Sequence, residues 1–240
     1  MSAIIIDYRA DDEIVRNLGE LGITVIKSCK NTQVSPALSG HPDMQICKLP
    51  NGIYVCDKNC YEYYKNALSE YDIRLICGTS HLNCNYPNDI AYNVAWIGEW
   101  AVHNTNYTDP HIKNCLNDLN VPLLNVSQGY SKCNICAISN NAVITSDEGI
   151  HRELVKSGID VLLICNGHID IFGWDYGFIG GASGKINRST LAFYGDITLH
   201  PDYEKIKNFC LKYNVICHSL STKRLMDLGS VISVDSITSV

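Results

Sequence analysis

Apolar and polar positions follow one another along the chain in short runs that recur in a fixed order. From residue 133 to 165 a strand-like run at 133–138 meets the turn Ser139-Asn140-Asn141. A second strand follows at 142–145, then a helix over about 148–157 with Gly158 as its stop, then a third strand at 160–165. The unit reads strand, tight turn, strand, helix, strand. The same order appears earlier: a strand at 43–49, the turn Pro50-Asn51-Gly52, a strand at 53–56, a helix over about 59–68 and a strand at 73–77. It appears later too, with a Gly-rich strand at 177–186, a turn at Asn187-Arg188-Ser189, a strand at 190–194, a helix starting near Pro201 and a strand at 214–217. A weaker copy lies between, with paired strands inside 90–102, a helix over about 109–119 and a strand at 121–126.

The two ends supply a fifth copy. The N-terminus reads strand (3–7), helix (about 11–20), strand (23–27), and lacks only a first strand. The C-terminal run 229–234 is a lone strand, and set beside the N-terminal piece it completes the unit. The five first strands begin roughly 40 to 50 residues apart, a period typical of radial or solenoid repeats. A solenoid needs capping ends, whereas these termini complement each other, which favours closure into a ring. The expected fold is α/β: one domain over residues 1–240, a five-bladed α/β-propeller of five ββαβ repeats closed by the N- and C-terminal strands.

Composition is that of a globular protein, with 46% hydrophobic and 18% charged residues, so disordered, collagen-like and coiled-coil classes are excluded. The net charge of -6 argues against coating DNA or RNA, which needs a basic field. Twelve cysteines are many. The start has no basic n-region and only a short apolar run, so no signal peptide is expected and the thiols are expected to be reduced. No apolar run approaches the ~18 residues of a membrane span. These features point to a soluble cytoplasmic protein. Cys133-Asn134-Ile135-Cys136 is a CxxC, but on a strand residues three apart face opposite ways, so both thiols would not reach one ion. Most other cysteines sit in apolar strand patterns, as small hydrophobes. No metal and no cofactor is expected.

Five such units closed by the termini resemble the pentein fold of the guanidine-modifying enzymes. Specific segments are similar to an uncharacterised bacterial family of that fold: His41-Pro42-Asp43-Met44-Gln45, Gln128-Gly129-Tyr130-Ser131-Lys132-Cys133, 176–184 and Asp227-Leu228-Gly229-Ser230. The resemblance implies attack on a guanidinium carbon by a Cys thiolate, with a His as general acid and base and two carboxylates holding the cation. Carboxylates match the planar fork of a guanidinium, and a thiolate needs a nearby His or positive charge. The fold also includes a ribosome anti-association factor that is not an enzyme.

Three positions follow from the resemblance. Asp43 stands where the first-repeat carboxylate stands. Gly167-His168-Ile169-Asp170 looks like the Gly-His-x-Asp of agmatine deiminases, making His168 the acid-base candidate, although it lies several residues ahead of its strand. The nucleophile would lie in the C-terminal first strand, shortly after a Gly. That stretch, 227–234, has no Cys, and Ser233 falls near the place. Cys84, in the polar loop 81–87, is the cysteine least like a core residue and is the candidate for a relocated nucleophile.

In a ring of repeats the loops entering the first strands converge at one end of the axis. They carry His41 and Asp43; His81, Cys84, Asn88 and Asp89; Gln128, Tyr130 and Lys132; His168, Asp170, Asp175 and Tyr176; Arg224 and Asp227. Polar groups around an apolar funnel describe a small-ligand site. Gly180-Gly181-Ala182-Ser183-Gly184 lacks the Lys and the helix of a phosphate loop and reads as close packing near a crowded axis. The expected function is binding of a small cationic or guanidino-like ligand by Asp43, His41, Lys132, Asp175 and Asp227, with hydrolysis of a C–N bond as the implied chemistry. A non-catalytic binding or scaffold protein of the same fold is the alternative, and a thiol-metal protein a third. The expected partner is a small molecule, with neither nucleic acid nor membrane; the oligomeric state is open.

Overall fold

Five three-stranded sheets, each flanked by one long helix, make up the computed structural model, which describes residues 3–234. Unit one pairs β1 (Ala3–Ile6) with the parallel β2 (Thr24–Lys27) through α1 (Asp12–Glu20). Unit two contains the one-turn helix α2 (Pro42–Gln45), β3 (Ile46–Lys48), β4 (Ile53–Cys56), α3 (Lys58–Ala67) and β5 (Arg74–Cys77). Unit three contains β6 (Ala95–Ile97), β7 (Trp100–His103), α4 (Pro110–Asp118) and β8 (Leu123–Asn125). Unit four contains the short α5 (Ser131–Asn134), β9 (Cys136–Ser139), β10 (Ala142–Thr145), α6 (Glu148–Lys156) and β11 (Asp160–Leu163). After β12 (Asp170–Ile171), unit five contains β13 (Ser183–Asn187), β14 (Thr190–Phe193), α7 (Tyr203–Lys212) and β15 (Ile216–Ser219). Last come β16 (Met226–Asp227) and β17 (Ile232–Val234).

Within each unit the first strand runs antiparallel to the second, and the third runs parallel to it after the helical crossover. Unit one takes its first strand from the far end of the chain: β17 pairs antiparallel with β1, Ala3 opposite Val234 and Ile5 opposite Ile232. The second strands β1, β4 and β10 are buried at every position, which is why they read as continuous apolar runs.

Each long helix buries one i, i+4 pair: Ile14 and Leu18, Cys60 and Tyr64, Ile112 and Leu116, Ile150 and Leu154, Ile206 and Cys210. That spacing puts both residues on one face. Gly22, Asn120, Gly158 and Asn214, all at positive φ, follow the C-caps of α1, α4, α6 and α7 and end them in the left-handed conformation. The turn between β3 and β4 needs positive φ at both Asn51 and Gly52, as in a two-residue type I′ hairpin.

The apolar core is divided into five clusters, each centred on two neighbouring units, the one between units two and three also taking in Cys133 of unit four and Ile171 of β12. Ile5 and Ile232 of unit one pack with Tyr54 and Tyr64 of unit two. Val55 meets Ile112 and Leu116 of unit three, and Val102 meets Ile150 and Leu154 of unit four. Ile144 packs with Phe193 and Ile206 of unit five, and Ala192 and Tyr194 return to Ile4 and Leu18 of unit one.

The same neighbours are tied by aspartates. Every long helix has Asp at its N-cap, a residue suited to the orphan N–H groups there. Each of these carboxylates also reaches the loop that follows the third strand of the preceding unit. Asp57 accepts from Asn31 Nδ2 at 2.8 Å, Asp109 from the Thr79 and Ser80 N–H at 2.9 and 2.7 Å, and Asp147 from Gln128 Nε2 at 3.1 Å. Asp202 accepts from the Cys165 N–H at 2.7 Å, and Asp11 pairs with Lys223 at 2.5 Å.

Three segments differ from the sequence expectation. The strands anticipated from Asp43 and from Cys133 begin three residues later, at β3 and β9, because α2 and α5 come first. The Gly-rich strand anticipated at 177–186 is confined to β13. All twelve cysteines are free. No helix among the described residues is long and apolar enough to cross a membrane.

Candidate functional site

The segments that enter the first strands converge on one buried polar centre. Pro42 opens α2 at its first position, where its missing N–H costs nothing, and the single turn brings Asp43 inward with 1% exposure. Asp43 Oδ2 accepts from the Ser230 N–H at 2.8 Å, the Ser230 hydroxyl at 2.7 Å and the Cys133 thiol at 3.2 Å. Its Oδ1 is buried without a hydrogen-bond partner. Cys133 is presented by α5, the corresponding turn before β9. Asn93, just ahead of β6, holds that turn: its Oδ1 accepts from the N–H groups of Lys132 and Cys133 at 2.8 and 3.2 Å, and its Nδ2 donates to Cys133 Sγ at 3.1 Å.

Asp227 and His41 complete the centre. The two-stranded pairing of β12 with β16 fixes Asp227, whose carboxylate accepts from the N–H groups of Phe178 and Gly229 at 2.9 and 3.0 Å. His41 Nδ1 lies 3.8 Å from Asp227 Oδ1 and has no hydrogen-bond partner. The glycine run explains itself here. A Cβ on Gly181 would lie 2.1 Å from Asp227 Oδ1, and one on Gly180 would lie 2.4 Å from the Lys132 carbonyl.

Burial pushes the Cys133 thiol well above its ordinary value, and Asp43 and Asp227 push it the same way. It is a neutral thiol donor at pH 7. Burial also raises the Asp227 carboxyl; His41 opposes this and Asp43 adds to it. Neither Asp43 nor Asp227 is bonded to a lysine or arginine among the described residues.

A cavity of about 380 Å³ adjoins Asp43, and residues of all five first strands line it. Three lysines face it, one each from β3, α5 and β13: Lys48, Lys132 and Lys185. Lys48 Nζ donates to Ser233 Oγ at 2.6 Å, and Lys185 Nζ to the Ile138 carbonyl at 3.0 Å. Burial holds the Lys185 ammonium below its ordinary range. A second cavity, of about 600 Å³, adjoins Asp227 and the buried, unpartnered hydroxyl of Tyr194.

Residues 5–232 match the model of a family of unknown function, DUF6873. The chain belongs to this family. A search of the curated proteins finds no match. Among solved structures, an amidinotransferase of the saxitoxin biosynthetic pathway of Microseira wollei is 8% identical with a TM-score of 0.60, over 98% of this chain and 94% of that one. DDAH from Pseudomonas aeruginosa, solved in complex with citrulline, is 8% identical with a TM-score of 0.55, over 91% and 92%. The C. jejuni agmatine deiminase is 10% identical with a TM-score of 0.53, over 92% and 87%. These are pentein enzymes, and this DUF6873 chain shares their α/β fold; at such identities the likeness concerns the fold.

Of the residues singled out from the sequence, the DUF6873 centre gathers His41, Asp43 and Asp227, and Lys132 contributes its backbone there and its side chain to the cavity. His168, Asp175 and Cys84 stand elsewhere. His168 is exposed, with its ring 5.6 Å from that of His200. Asp175 is on an exposed loop, and the exposed Cys84 lies 3.9 Å from Asn85 Oδ1. Among loop residues, Tyr130 donates to Asp89 at 2.7 Å, while Arg224 pairs with Asp170 at 3.2 Å. The hydroxyl beside Asp43 is that of Ser230; Ser233 belongs to Lys48.

Cys133, Asn93 and Ser230 were not candidates. A signal for them exists in the repeat itself. Asp43 and Cys133 each stand three residues before their first strand, and Asn93 and Ser230 each stand two before theirs. Superposing the five strand entries brings these polar residues together with Gly180 and Gly181.

Proposed function

We propose that this DUF6873 protein is a closed five-bladed α/β-propeller whose central cavity binds a small guanidino-like molecule that also carries an acidic group, and that it acts on a C–N bond of that molecule. Three features support closure: the five shared cores run from unit one to unit five and back to unit one, five aspartates tie the same neighbours, and one cavity touches all five first strands.

The observation that carries the ligand class is the pairing of Asp43 with three lysines around one cavity. A guanidinium beside Asp43 would supply the positive charge that the two buried acids lack. A carboxylate or similar acid would meet Lys132 and Lys185. Both halves are needed, since a bare cation would face these ammonium groups as well as Asp43.

The C–N chemistry comes from the likeness to the amidinotransferase, DDAH and deiminase folds. Cys133 is the thiol beside Asp43, and His41 is the imidazole beside it, so these two take the roles first assigned to Cys84 and His168. In this scheme the sulfur bonds to the guanidino carbon, the C–N bond to the leaving amine breaks, and the amine departs with a proton relayed by His41. A cation between Asp43 and Asp227 offsets the acids that hold the thiol protonated, so the ligand itself favours the thiolate.

A thermal-shift panel tests the reading, using arginine, methylated arginines and creatine against agmatine and simple polyamines. A ligand that binds only the folded chain at 100 times its Kd adds about 2.7 kcal/mol. A rise in Tm with a guanidino acid, and a smaller one or none with agmatine and polyamines, is expected. Equal shifts with polyamines, or no shift with any guanidino compound, would sink it.

A further inference from the structure

Two acids, a histidine and a cysteine are packed out of water in the centre, and two of their best donor atoms are unused. Asp43 Oδ1 and His41 Nδ1 are each buried with no hydrogen-bond partner, in side chains about 1% exposed. Orphaned buried polar atoms are costly, and paired orphans beside a thiol ask for a shared occupant. We propose that His41, Asp43 and Cys133 form a site for one zinc-like divalent ion.

The donor set is imidazole nitrogen, carboxylate oxygen and sulfur, which suits zinc rather than magnesium or calcium. Ligand atoms of the three residues all lie within 4.8 Å of one another. Tetrahedral zinc with bonds of about 2.0–2.3 Å sets its ligand atoms roughly 3.5 Å apart. Cys133 Sγ already touches the Asp43 carboxylate, 3.2 Å from Oδ2, and the open Oδ1 belongs to the same carboxylate, so side-chain adjustment within the 4.8 Å cluster brings sulfur and oxygen onto one ion.

The surroundings are arranged as supports for such an ion. Ser230 donates twice to Asp43 Oδ2 and so fixes the carboxylate while leaving Oδ1 open. The Asn93 amide donates to Cys133 Sγ at 3.1 Å, a bond that steadies a metal-bound thiolate. Asp227, 3.8 Å from His41, adds a second acid beside the ligand ring. On binding, the thiol proton leaves to solvent and the sulfur lone pair goes to the ion, with no change of oxidation state. Three protein donors leave the fourth position open. The inference rests on the centre's own geometry and not on the identity of an organic ligand, although an ion here and a guanidinium against Asp43 would exclude each other.

Cobalt titration of chelator-treated protein tests it. Wild type is expected to take up one equivalent of Co²⁺ with a thiolate-to-cobalt charge-transfer band, and Zn²⁺ is expected to displace the band. Cys133→Ser should lose the band, Asp43→Asn and His41→Ala should weaken binding at least tenfold, and Cys84→Ser should change nothing. Each variant's melting curve without metal establishes that it is folded. Should Cys133→Ser fail to fold, alkylation of Cys133 in wild type, read by mass spectrometry, should be slowed by Zn²⁺. Absence of the band, its survival in folded Cys133→Ser, or alkylation unaffected by Zn²⁺ would overturn the proposal. None of these readouts uses a guanidino compound, so the failure of one proposal leaves the other standing.

Discussion

His103, the last residue of β7, is kept neutral by its burial, which outweighs the backbone carbonyls that favour its charged form. Its Nε2–H donates to the Gly129 carbonyl at 3.1 Å, which leaves Nδ1 to accept from the Thr108 hydroxyl at 2.7 Å. Burial pushes its pKa down to about 4, against about 6.5 for a free imidazole. The unfolded chain therefore takes up a proton near pH 6.5 that the folded chain refuses until about pH 4. The contribution is complete above pH 6.5 and is lost as the pH falls through that window, about 3 kcal/mol in all. Urea melts at pH 7 and pH 4.5 should show this loss in wild type and a flatter profile in His103→Gln. Ser230→Ala removes a hydroxyl donor to a buried carboxylate and should cost roughly 1.5–3 kcal/mol by the same melts. Gly181→Ala drives a Cβ against Asp227, which two N–H groups pin in place, and should cost roughly 3 kcal/mol. At this scale the sequence exposes Asp43, His41 and Asp227 through their segments. It hides Cys133, because a cysteine in an apolar run looks like core until the turn before the strand is known.

The helices and second strands are legible because burial imposes a period on them: i, i+4 pairs on one helical face, unbroken apolar runs in strands covered on both sides. The turns α2 and α5 escape, since four residues are too few to display a stripe, and all of the residues inside them except Lys132 are buried. The pairing of β12 with β16 escapes for the same reason, being two residues long in each strand. Yet these three small elements aim Asp43, Cys133 and Asp227. The N-cap aspartates give a prediction at this scale. Asp109 caps α4 through the His111 N–H and also accepts from the Thr79 and Ser80 N–H groups of the preceding unit. Burial alone would raise this carboxyl, but those N–H donors outweigh it and hold its pKa below the ordinary value. Asp109→Ala should therefore cost about 2–4 kcal/mol, more than the roughly 1–2 kcal/mol expected of Asp147→Ala, which loses its cap and one amide bond. Equal losses in urea denaturation would mean that the ties between units contribute nothing beyond capping.

For the whole molecule, each unit buries its helix against a neighbour, and the N-terminal unit borrows its first strand from the far end of the chain. That borrowing is readable in sequence as a missing strand at one end and a surplus one at the other. Where the five first strands meet is also where charge accumulates, with Asp43 and three lysines around one cavity. Charge placement around a cavity depends on which residues of different units face inward together, and a single chain read linearly does not reveal it. Calorimetric titration with the strongest guanidino acid of the thermal-shift panel tests the claim most directly, on wild type, Asp43→Asn and Lys185→Met. Asp43→Asn keeps the side chain's shape and removes the charge that would hold the cation. Binding weakened at least tenfold in both variants, a loss of about 1.4 kcal/mol or more each, is the predicted result. Undiminished affinity in Asp43→Asn would contradict the account.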